Sequence, residues 1–238
     1  MSDTRAPAAA ARPSLTVIVP ALNAAGTLAR ALAALEEGRG SFALSVLVVD
    51  GGSKDGTAEL ARRLGADVLA TAPGRGTQLR AGAAARHSDW LLFLHADTML
   101  APGWSNEAAK FMQNPENLRR AAAFRLVLDD GSPAARRVEG FVAWRCRQFG
   151  LAYGDQGLLI SRRFYGELGG FRPLTLMEDV DMARRIGRRR LVMLGTAATT
   201  SAARYRSEGY VFRGMRNLLC LGLHFAGVPA ELIAKIYG

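Results

Sequence analysis

The chain has 238 residues, of which 49% are hydrophobic and 22% charged, and this is the composition of a folded globular protein with one sizeable core. Lys and Arg outnumber Asp and Glu by 31 to 21, and the net charge of +10 favours polyanions, anionic membrane surfaces or phosphorylated small molecules. Alternatively, the excess of positive charge reflects a high-GC coding bias, which favours Arg and Ala, and not a charged partner. The arginines come with no zinc-finger spacing and no aromatic RNA-binding strand, so we expect no nucleic-acid partner.

The amino-terminal segment and the cysteines indicate the cellular compartment in which the protein is expected. Residues 1–13 are Ala/Pro-rich, lack the apolar core of a signal peptide, and are expected to form a disordered lead-in. No apolar run approaches the length that spans a bilayer. Cys146 and Cys220 have no metal-ligand spacing, and the composition predicts no disulfide framework. A reducing cytoplasm fits these features.

Through the first hundred residues, short apolar runs alternate with segments of helical periodicity. Strands are predicted at residues 15–20, 45–50, 66–70 and 90–94, and helices at 25–38, 57–65, 74–87 and 104–113. This order implies right-handed crossovers and a parallel sheet with helices on both faces. The segment is therefore predicted to be a nucleotide-binding half of Rossmann type.

The second half of the chain is less regular and contains no internal repeat or obvious linker. Strands are predicted at residues 121–129, at the start of 157–171 and at 190–194. Helices are predicted at residues 132–148, 177–187 and 210–237, the last with a break at 227–229.

The segment WLLFLHADTML changes from a buried strand to polar residues at His95. Asp97 then follows the carboxyl end of the strand, where open α/β sheets bind ligands. A carboxylate there can hold a divalent cation against a phosphate. Alternatively, Asp97 caps the next helix.

Two Gly-rich turns are candidates for nucleotide contacts. VVDGGSKDGT ends a strand at Asp50, whose carboxylate could accept hydrogen bonds from a base or ribose; an ordinary capped turn is the alternative. APGRGTQLRAG nearly matches a dinucleotide fingerprint, but Leu79 occupies the position of the third glycine. Arg75 and Arg80 near a helix start suit a diphosphate.

Three acids cluster in MEDVD, at Glu178, Asp179 and Asp181. Clustered like charges repel, so the arrangement suggests proton abstraction, cation contact or compensation of a helix dipole. Acids at a helix start are also common for structural reasons alone.

The motifs VIVPALNAAGTL, VVDGGSKDGT, GRGTQLRAG, FLHADT, LGGF and MEDVD, in this order and spacing, resemble a family-2 glycosyltransferase of the GT-A fold over about residues 14–187. The resemblance implies an α/β fold with a Rossmann-like, mostly parallel sheet flanked by helices. A catalytic domain would cover residues 14–200 and a C-terminal helical extension residues 201–238. The HADT variant, the GRGTQL loop and the tail more narrowly resemble the bacterial group called radical-SAM/selenodomain-associated transferase 2, whose members are also labelled arsenosugar-biosynthesis glycosyltransferases.

The resemblance further implies an inverting, metal-dependent transfer of sugar from a nucleoside-diphosphate sugar, of UDP or GDP type, to a hydroxyl acceptor. Asp179 would be the catalytic base, with Glu178 beside it. Asp97 matches the last acid of the family's DXD motif and would hold Mg²⁺ or Mn²⁺ on the donor diphosphate. The implied donor-binding residues are Pro20, Asn23, Asp50, Gly52, Arg75, Gly76, Arg80, Ala96, Asp97 and Arg204.

Two residues depart from the family pattern. Gly51 stands where many relatives have a second Asp, and His95 replaces the first acid of DXD. His95 could ligate a metal ion when neutral, donate to phosphate or merely pack.

Two other classes of function are kept as alternatives. The near-fingerprint at Gly74 is compatible with an NAD-dependent oxidoreductase. His95, Gly51 and the net charge are compatible with a non-catalytic protein that binds nucleotide sugars or a membrane surface. The tail from Tyr210 to Leu223 can line an apolar face that covers the protein's own core, forms a homodimer, or makes a peripheral contact at the inner membrane face.

Overall fold

A computed structural model describes residues 12–237 of the chain. Within this range eight strands form one sheet in the order β3-β2-β1-β4-β7-β6-β8-β5. The strands are β1 (Ser14–Ala21), β2 (Ala43–Asp50), β3 (Asp67–Ala70), β4 (Trp90–Phe93), β5 (Thr98–Leu100), β6 (Ala121–Leu128), β7 (Leu158–Ser161) and β8 (Leu191–Thr200). The helices are α1 (Ala25–Leu35), α2 (Thr57–Arg63), α3 (Arg75–Ala84), α4 (Trp104–Gln113), α5 (Pro133–Phe149), α6 (Arg162–Glu167), α7 (Glu178–Ile186), α8 (Ala203–Glu208), α9 (Tyr210–Phe225) and α10 (Ala230–Tyr237).

The first four strands form the predicted Rossmann-like half. β1 pairs in parallel with β2 and with β4, and β3 pairs in parallel with β2. β7 then lies antiparallel between β4 and β6, while β6 and β8 are parallel. The predicted fold class, a mostly parallel sheet with flanking helices, is confirmed.

The sheet is buried on both faces because its strands carry apolar side chains in both directions. On one face Val17 and Val19 of β1 join a core that includes Trp104 of α4. On the other face Ile18 packs in a core with Leu79 of α3. Side chains that are fully buried in this way each contribute roughly 1.5–3 kcal/mol of hydrophobic stabilisation.

The helix Trp104–Gln113 has the predicted bounds, whereas two elements near β8 differ from prediction. β8 runs to Thr200, six residues beyond the predicted end, because its second part pairs with β5 on one side and β6 on the other. The apolar content of the sequence indicated the first part of this strand but not the second. The short strand β5 was not predicted; its three residues lie between the predicted strand 90–94 and the predicted helix 104–113, where no element was assigned.

The two ends of the chain and the cysteines were the other subjects of prediction. The predicted lead-in, residues 1–13, lies almost wholly outside the described residues. Cys146 and Cys220 are both free and buried. The tail is helical, with the break between α9 and α10 at the predicted place. Among the described residues, none of the helices combines the length and apolarity that a bilayer crossing requires.

Candidate active site

The loops that follow β1 and β2 are joined at the carboxyl edge of the sheet. Asn23 takes a left-handed backbone conformation (φ 51°), its N–H donates to the Ser53 hydroxyl at 2.9 Å, and its side-chain oxygen accepts from the Lys54 N–H at 2.9 Å. The N–H of Ala24 donates to Thr57 Oγ1 at 2.8 Å, so α1 receives its cap from the start of α2. The predicted donor residue Asn23 therefore holds two loops together.

Asp50 lies buried at the end of β2, and its carboxylate is fixed by its own turn. Its Oδ2 accepts from the N–H groups of Gly52 and Ser53, both at 3.1 Å, and its Oδ1 accepts from the Ser53 hydroxyl at 2.5 Å. The Asp50 carboxylate thus stabilises the turn through these three hydrogen bonds. Contact of Asp50 or Gly52 with a nucleotide stays a prediction.

Gly51 and Gln78 meet where many family members have a second acid. A Cβ at Gly51 would lie 3.2 Å from Gln78 Nε2 and 3.2 Å from the Cα of Pro73. Gln78 is buried and donates through Nε2 to the carbonyls of Ala21 and Val49, at 2.9 and 2.7 Å. The space next to position 51 is therefore occupied by a side chain that ties α3 to two strands.

Arg75 begins α3, directly after Gly74, and the helix start packs closely on a neighbouring loop. A Cβ at Gly76 would lie 2.2 Å from the carbonyl oxygen of Arg172, and the Gly76 N–H already donates to Leu174 O at 3.1 Å. Gly76 therefore serves close backbone packing. Its predicted role in donor binding stays a prediction.

Three further residues predicted to bind the donor, Arg80, Pro20 and Ala96, differ in their exposure. Arg80 is exposed further along α3, and its charge acts on Tyr165. Pro20, near the end of β1, and Ala96, in the connection between β4 and β5, are buried, so any donor contact there would come from backbone atoms.

Asp179 and Glu178 open α7, after Met177 in a left-handed conformation (φ 66°). Asp179 Oδ2 accepts from the Gly154 N–H at 3.0 Å, and Oδ1 accepts from the Val180 N–H at 2.7 Å. Asp179 remains partly accessible, whereas Glu178 is fully buried. The two adjacent acids therefore differ in environment.

Glu178 is held as a neutral acid. Neither of its carboxylate oxygens has a hydrogen-bond partner, and the nearest cation, Arg75 Nη1, is 3.9 Å from Oε1. Burial, together with the charge of Asp179, raises the pKa of Glu178 to about 8, although Arg75 opposes the shift. At neutral pH the pair Glu178–Asp179 therefore keeps a proton on Glu178.

The charges of three predicted acids, Glu178, Asp179 and Asp97, act on Arg75. Burial lowers its pKa, but the surrounding charges of Glu178, Asp179, Asp97 and Tyr237 outweigh burial and raise it. The positive charge is therefore permanent.

The third acid of MEDVD, Asp181, forms ion pairs with two arginines. Asp181 Oδ2 accepts from Arg185 at 2.5 Å, and Oδ1 lies 3.0 Å from Arg172 Nη1. Its carboxylate is neutralised between these two guanidinium groups.

His95 packs against the loop before β7. Its Nε2 is buried without a partner, and a Cβ at Gly154 would lie 2.3 Å from that atom. Burial and then the charge of Arg75 lower the pKa of His95 to about 4, so the imidazole is neutral. A neutral ring could either accept or donate one hydrogen bond to a ligand.

Asp97 lies exposed at the junction of β4 and β5, and the structure excludes its alternative role as a helix cap. The next helix, α4, begins at Trp104, and its first turn is capped by Glu37, whose carboxylate accepts from the N–H groups of Gly103 and Ser105 at 2.9 and 3.0 Å. Asp97 also lines a smaller cleft of about 240 Å³ together with Arg30 and Asp129. Its charge nevertheless acts on both Arg75 and His95.

Asp155 is an acid of this site that sequence reasoning missed. Its Oδ1 is buried without a partner, and burial followed by the charges of Asp179 and Asp97, against that of Arg145, raises its pKa to about 6. Its position, between two glycines just before an apolar strand, was the available signal. Beside it, the ring of Tyr153 lies 3.5 Å from the Arg145 guanidinium, and burial raises the Tyr153 pKa to about 12.

The C-terminal helices reach the same cluster. The guanidinium of Arg204, on α8, lies 5.9 Å from the ring of Tyr237, and its charge acts on His95. The ring of Tyr237, on α10, is held 4.3 Å from the buried Arg213 guanidinium. The tail therefore brings Tyr237 within the electrostatic reach of Arg75 and Arg204 within that of His95.

The main cleft lies between the ends of β4 and β7 and the start of α7, and its volume is about 460 Å³ with the solvent at its mouth included. Its polar lining includes His95, Tyr153, Glu178 and Asp179. Among residues 12–237 no three His, Cys, Asp or Glu side chains are assembled as a metal cluster. The exposed Asp97 carboxylate and the unpartnered His95 Nε2 are nonetheless donors of the kind that Mn²⁺ accepts.

Residues 16–119 match the sequence model of Glycosyl transferase family 2, which is a little under half of the chain. The fold is that of a GT-A glycosyltransferase. None of the curated proteins matches the sequence significantly. The family match and the GT-A fold together support a nucleotide-sugar-dependent glycosyltransferase, and they favour glycosyl transfer over the hydride-transfer alternative.

Three solved GT-A structures illustrate the likeness. Glucosyl-3-phosphoglycerate synthase from Mycobacterium tuberculosis, in complex with Mn²⁺, UDP and glucosyl-3-phosphoglycerate, is 18% identical (TM-score 0.62; 91% of this chain, 81% of that one). A mannosyltransferase from Pyrobaculum calidifontis, in complex with GDP-Man and Mn²⁺, is 20% identical (TM-score 0.65; 92% and 64%). Mannosyl-3-phosphoglycerate synthase from Rubrobacter xylanophilus is 18% identical (TM-score 0.58; 90% and 75%).

Proposed function

We propose that the protein is an inverting, metal-dependent glycosyltransferase that moves a sugar from a nucleoside-diphosphate sugar to a hydroxyl acceptor. The observation that carries the proposal is the position of Asp179. It lines the main cleft, both of its oxygens are oriented by backbone N–H groups, and it lies within the field of Arg75. The UDP and GDP-Man complexes of structural relatives support a donor of UDP or GDP type.

The reaction is a single displacement. Asp179 accepts the proton of the acceptor hydroxyl while that oxygen bonds to the anomeric carbon and the bond to the diphosphate breaks. General-base assistance of this kind contributes about 10²–10⁴-fold to rate. Because Glu178 is neutral, it adds no second negative charge beside the base, so the Asp179 carboxylate does not face a like charge from its neighbour.

The departing diphosphate needs positive charge. Arg75 supplies a permanent cation at the start of α3, where the N-terminus of the helix also favours anions. Asp97, and His95 as a second ligand, would hold Mg²⁺ or Mn²⁺, which when bound adds charge against the diphosphate. The Mn²⁺ in the complexes of relatives supports this assignment.

The finer family assignment also belongs to the proposal. The HADT segment, the GRGTQL loop and the tail support membership of the radical-SAM/selenodomain-associated transferase 2 group. We place the catalytic domain at residues 14–200 and a helical extension at 201–238, and Arg204 and Tyr237 connect that extension to the site.

Donor binding tests the proposal without knowledge of the acceptor. UDP and GDP are added separately to the protein with Mn²⁺ or with a chelator, and the melting temperature is recorded. One nucleotide should raise the melting temperature more with Mn²⁺, because a ligand that binds only the folded state stabilises it by mass action. NAD serves as the control ligand and should give no shift.

The variant Asp97→Asn identifies the residue responsible. It keeps the size of the side chain but removes the charge, so the Mn²⁺-dependent increment should disappear while the increment with chelator remains. Asp129→Asn, which lines the same smaller cleft, is the matched control and should keep the Mn²⁺ increment. Equal shifts with Mn²⁺ and chelator in the unmodified protein would exclude the metal role.

A further inference from the structure

Helix α9 exposes a continuous apolar face that nothing in the described chain covers. Its members recur every three or four residues and thus share one side of the helix. The most exposed are Val211 at 77%, Met215 at 65% and Phe212 at 62%. We call this set the α9 face; it consists of Val211, Phe212, Met215, Leu218, Leu219 and Phe225.

The opposite side of the same helix packs on the protein. Cys220 and Arg213 are buried there, and Cys220 belongs to an apolar cluster with Ile233 of α10. The interpretation that the whole tail covers the protein's own core therefore holds for one side of α9 only. α10 adds two more exposed apolar side chains, Leu232 and Ile236.

The edges of the α9 face carry cations. The guanidinium of the exposed Arg184, from α7, lies 5.0 Å from the ring of Phe225. The guanidinium of Arg216 lies 5.6 Å from the ring of Phe212 but is largely buried and ion-paired with Glu208, so Arg184 is the exposed cation of the two. The sequence from Tyr210 to Phe225 contains no Asp or Glu. An apolar helix face with an exposed cation at its edge, on a chain of net charge +10, fits a helix that lies in the interface of an anionic bilayer.

A neighbouring helix has the same character. α5 packs against α9 and exposes Phe141, Trp144 and Phe149. The ring centroid of Trp144 lies 5.6 Å from that of Phe141 and 5.4 Å from that of Phe149. Aromatic side chains of this kind are favoured at the boundary between lipid headgroups and acyl chains.

We propose that the α9 face docks on an anionic membrane surface, with the helix axis parallel to the bilayer. The 16 residues of α9 are fewer than the roughly 20 needed to cross a bilayer, so the helix lies on the membrane and does not span it. Charge favours this occupant over a second copy of the chain. Each copy carries a net charge of +10, which repels another copy and attracts anionic headgroups.

Vesicle flotation with the full chain tests the proposal. Vesicles contain phosphatidylcholine alone or with roughly 30 mol % phosphatidylglycerol, a content that gives a negative surface potential. The protein should float with the anionic vesicles at low salt and much less with phosphatidylcholine alone. Added salt should release it, because screening weakens the attraction.

Three variants separate the contributions. Met215→Gln with Leu219→Gln, in the centre of the α9 face, should lower the fraction bound about tenfold, since apolar burial is lost. Arg184→Gln should lower it about fivefold, as expected for one basic residue near the surface. Leu64→Gln, an exposed leucine at the end of α2, is the matched control and should bind like the unmodified protein.

Circular dichroism melts establish that the variants are folded, which is expected because the substituted side chains are exposed. Failure of the unmodified protein to float, equal binding to neutral vesicles, or flotation of the double variant at the original level would each overturn the proposal. So would a dimer, seen by sedimentation velocity, that the double variant dissociates while no vesicle binding occurs. The proposal stands apart from the glycosyltransferase assignment, because vesicle binding needs no donor or acceptor.

Discussion

The backbone N–H of Gly154 donates a 3.0 Å hydrogen bond to Oδ2 of Asp179 and thereby ties the loop before β7 to the first turn of α7. The same glycine leaves room for the ring of His95, which contacts it on the other side. Through this one residue, the candidate base and the histidine of the HADT segment are positioned together.

Replacement of Asp179 by Asn should abolish most turnover. The amide keeps the size of the carboxylate and one hydrogen-bond acceptor but cannot take up a proton, so kcat should fall by about 10²–10⁴-fold. Nucleoside-diphosphate affinity should change little, because the base acts on the acceptor. Steady-state kinetics with an acceptor, or slow donor hydrolysis by water, measures the first quantity, and nucleotide titration measures the second.

Asp181→Asn is the control for this prediction, since Asp181 lies two residues further along the same helix. Loss of its contacts with Arg185 and Arg172 should lower the melting temperature but leave turnover largely intact. If Asp181→Asn abolished turnover and Asp179→Asn did not, the assignment of the base would be wrong.

The stability of the protein should fall as the pH rises from 6.5 to 8. In this range folded Glu178, with a pKa of about 8, holds a proton that the unfolded chain, with the ordinary value of 4.5, has released. The free energy of unfolding therefore decreases by at most about 1.4 kcal/mol per pH unit. His95 opposes this trend near pH 6.5, because it is neutral in the folded state, with a pKa of about 4, while about half of the unfolded chain, at the ordinary value of 6.5, still carries the proton. This opposing contribution is smaller than that of Glu178 and fades toward pH 8.

Urea unfolding across this pH range measures the slope. Glu178→Gln should remove this part of the slope, because glutamine does not titrate. Glu59→Gln, at an exposed position on α2, should leave it unchanged. A slope that survives in Glu178→Gln would show that another group titrates.

Gly154→Ala should damage the site locally. The added Cβ would lie 2.3 Å from Nε2 of His95, so the ring or the loop must move. A displacement of about 1 Å can cost roughly 10²-fold in rate, and we expect a loss of that order in donor hydrolysis. Gly140→Ala, where a Cβ meets nothing within 4 Å inside α5, should keep full activity.

Gly76→Ala should separate the start of α3 from the loop at Arg172. The new Cβ would lie 2.2 Å from the Arg172 carbonyl oxygen, and overpacking of this kind costs about 1–3 kcal/mol. Nucleotide affinity should fall as well, because Arg75 is the preceding residue. Gly26→Ala is the matched control: Gly26 is also the second residue of a helix, has open space around it, and should tolerate alanine. Melting curves and nucleotide titration compare the two variants.

The sequence was most informative where local pattern and tertiary environment agree. The helix Trp104–Gln113 and the strand β4 were predicted because the pattern of apolar residues in each segment matches the way the element is buried. The helix buries one face, and the strand buries all of its residues. The second part of β8 was not, since its strand state depends on pairing with β5 and β6. Asp155 was missed for a similar reason: the glycines around it mark a turn, but its burial arises from the packing of distant elements.

Gln78, with its two hydrogen bonds to strand carbonyls, sets a condition on how position 51 can change over evolutionary time. An Asp at 51 would bring a carboxylate against Gln78, so the acid and a smaller or repositioned residue at 78 should arise as a pair. Sequences of close relatives should then show the two positions covarying. In a double-mutant cycle, the cost of Gly51→Asp should shrink when Gln78 is already shortened.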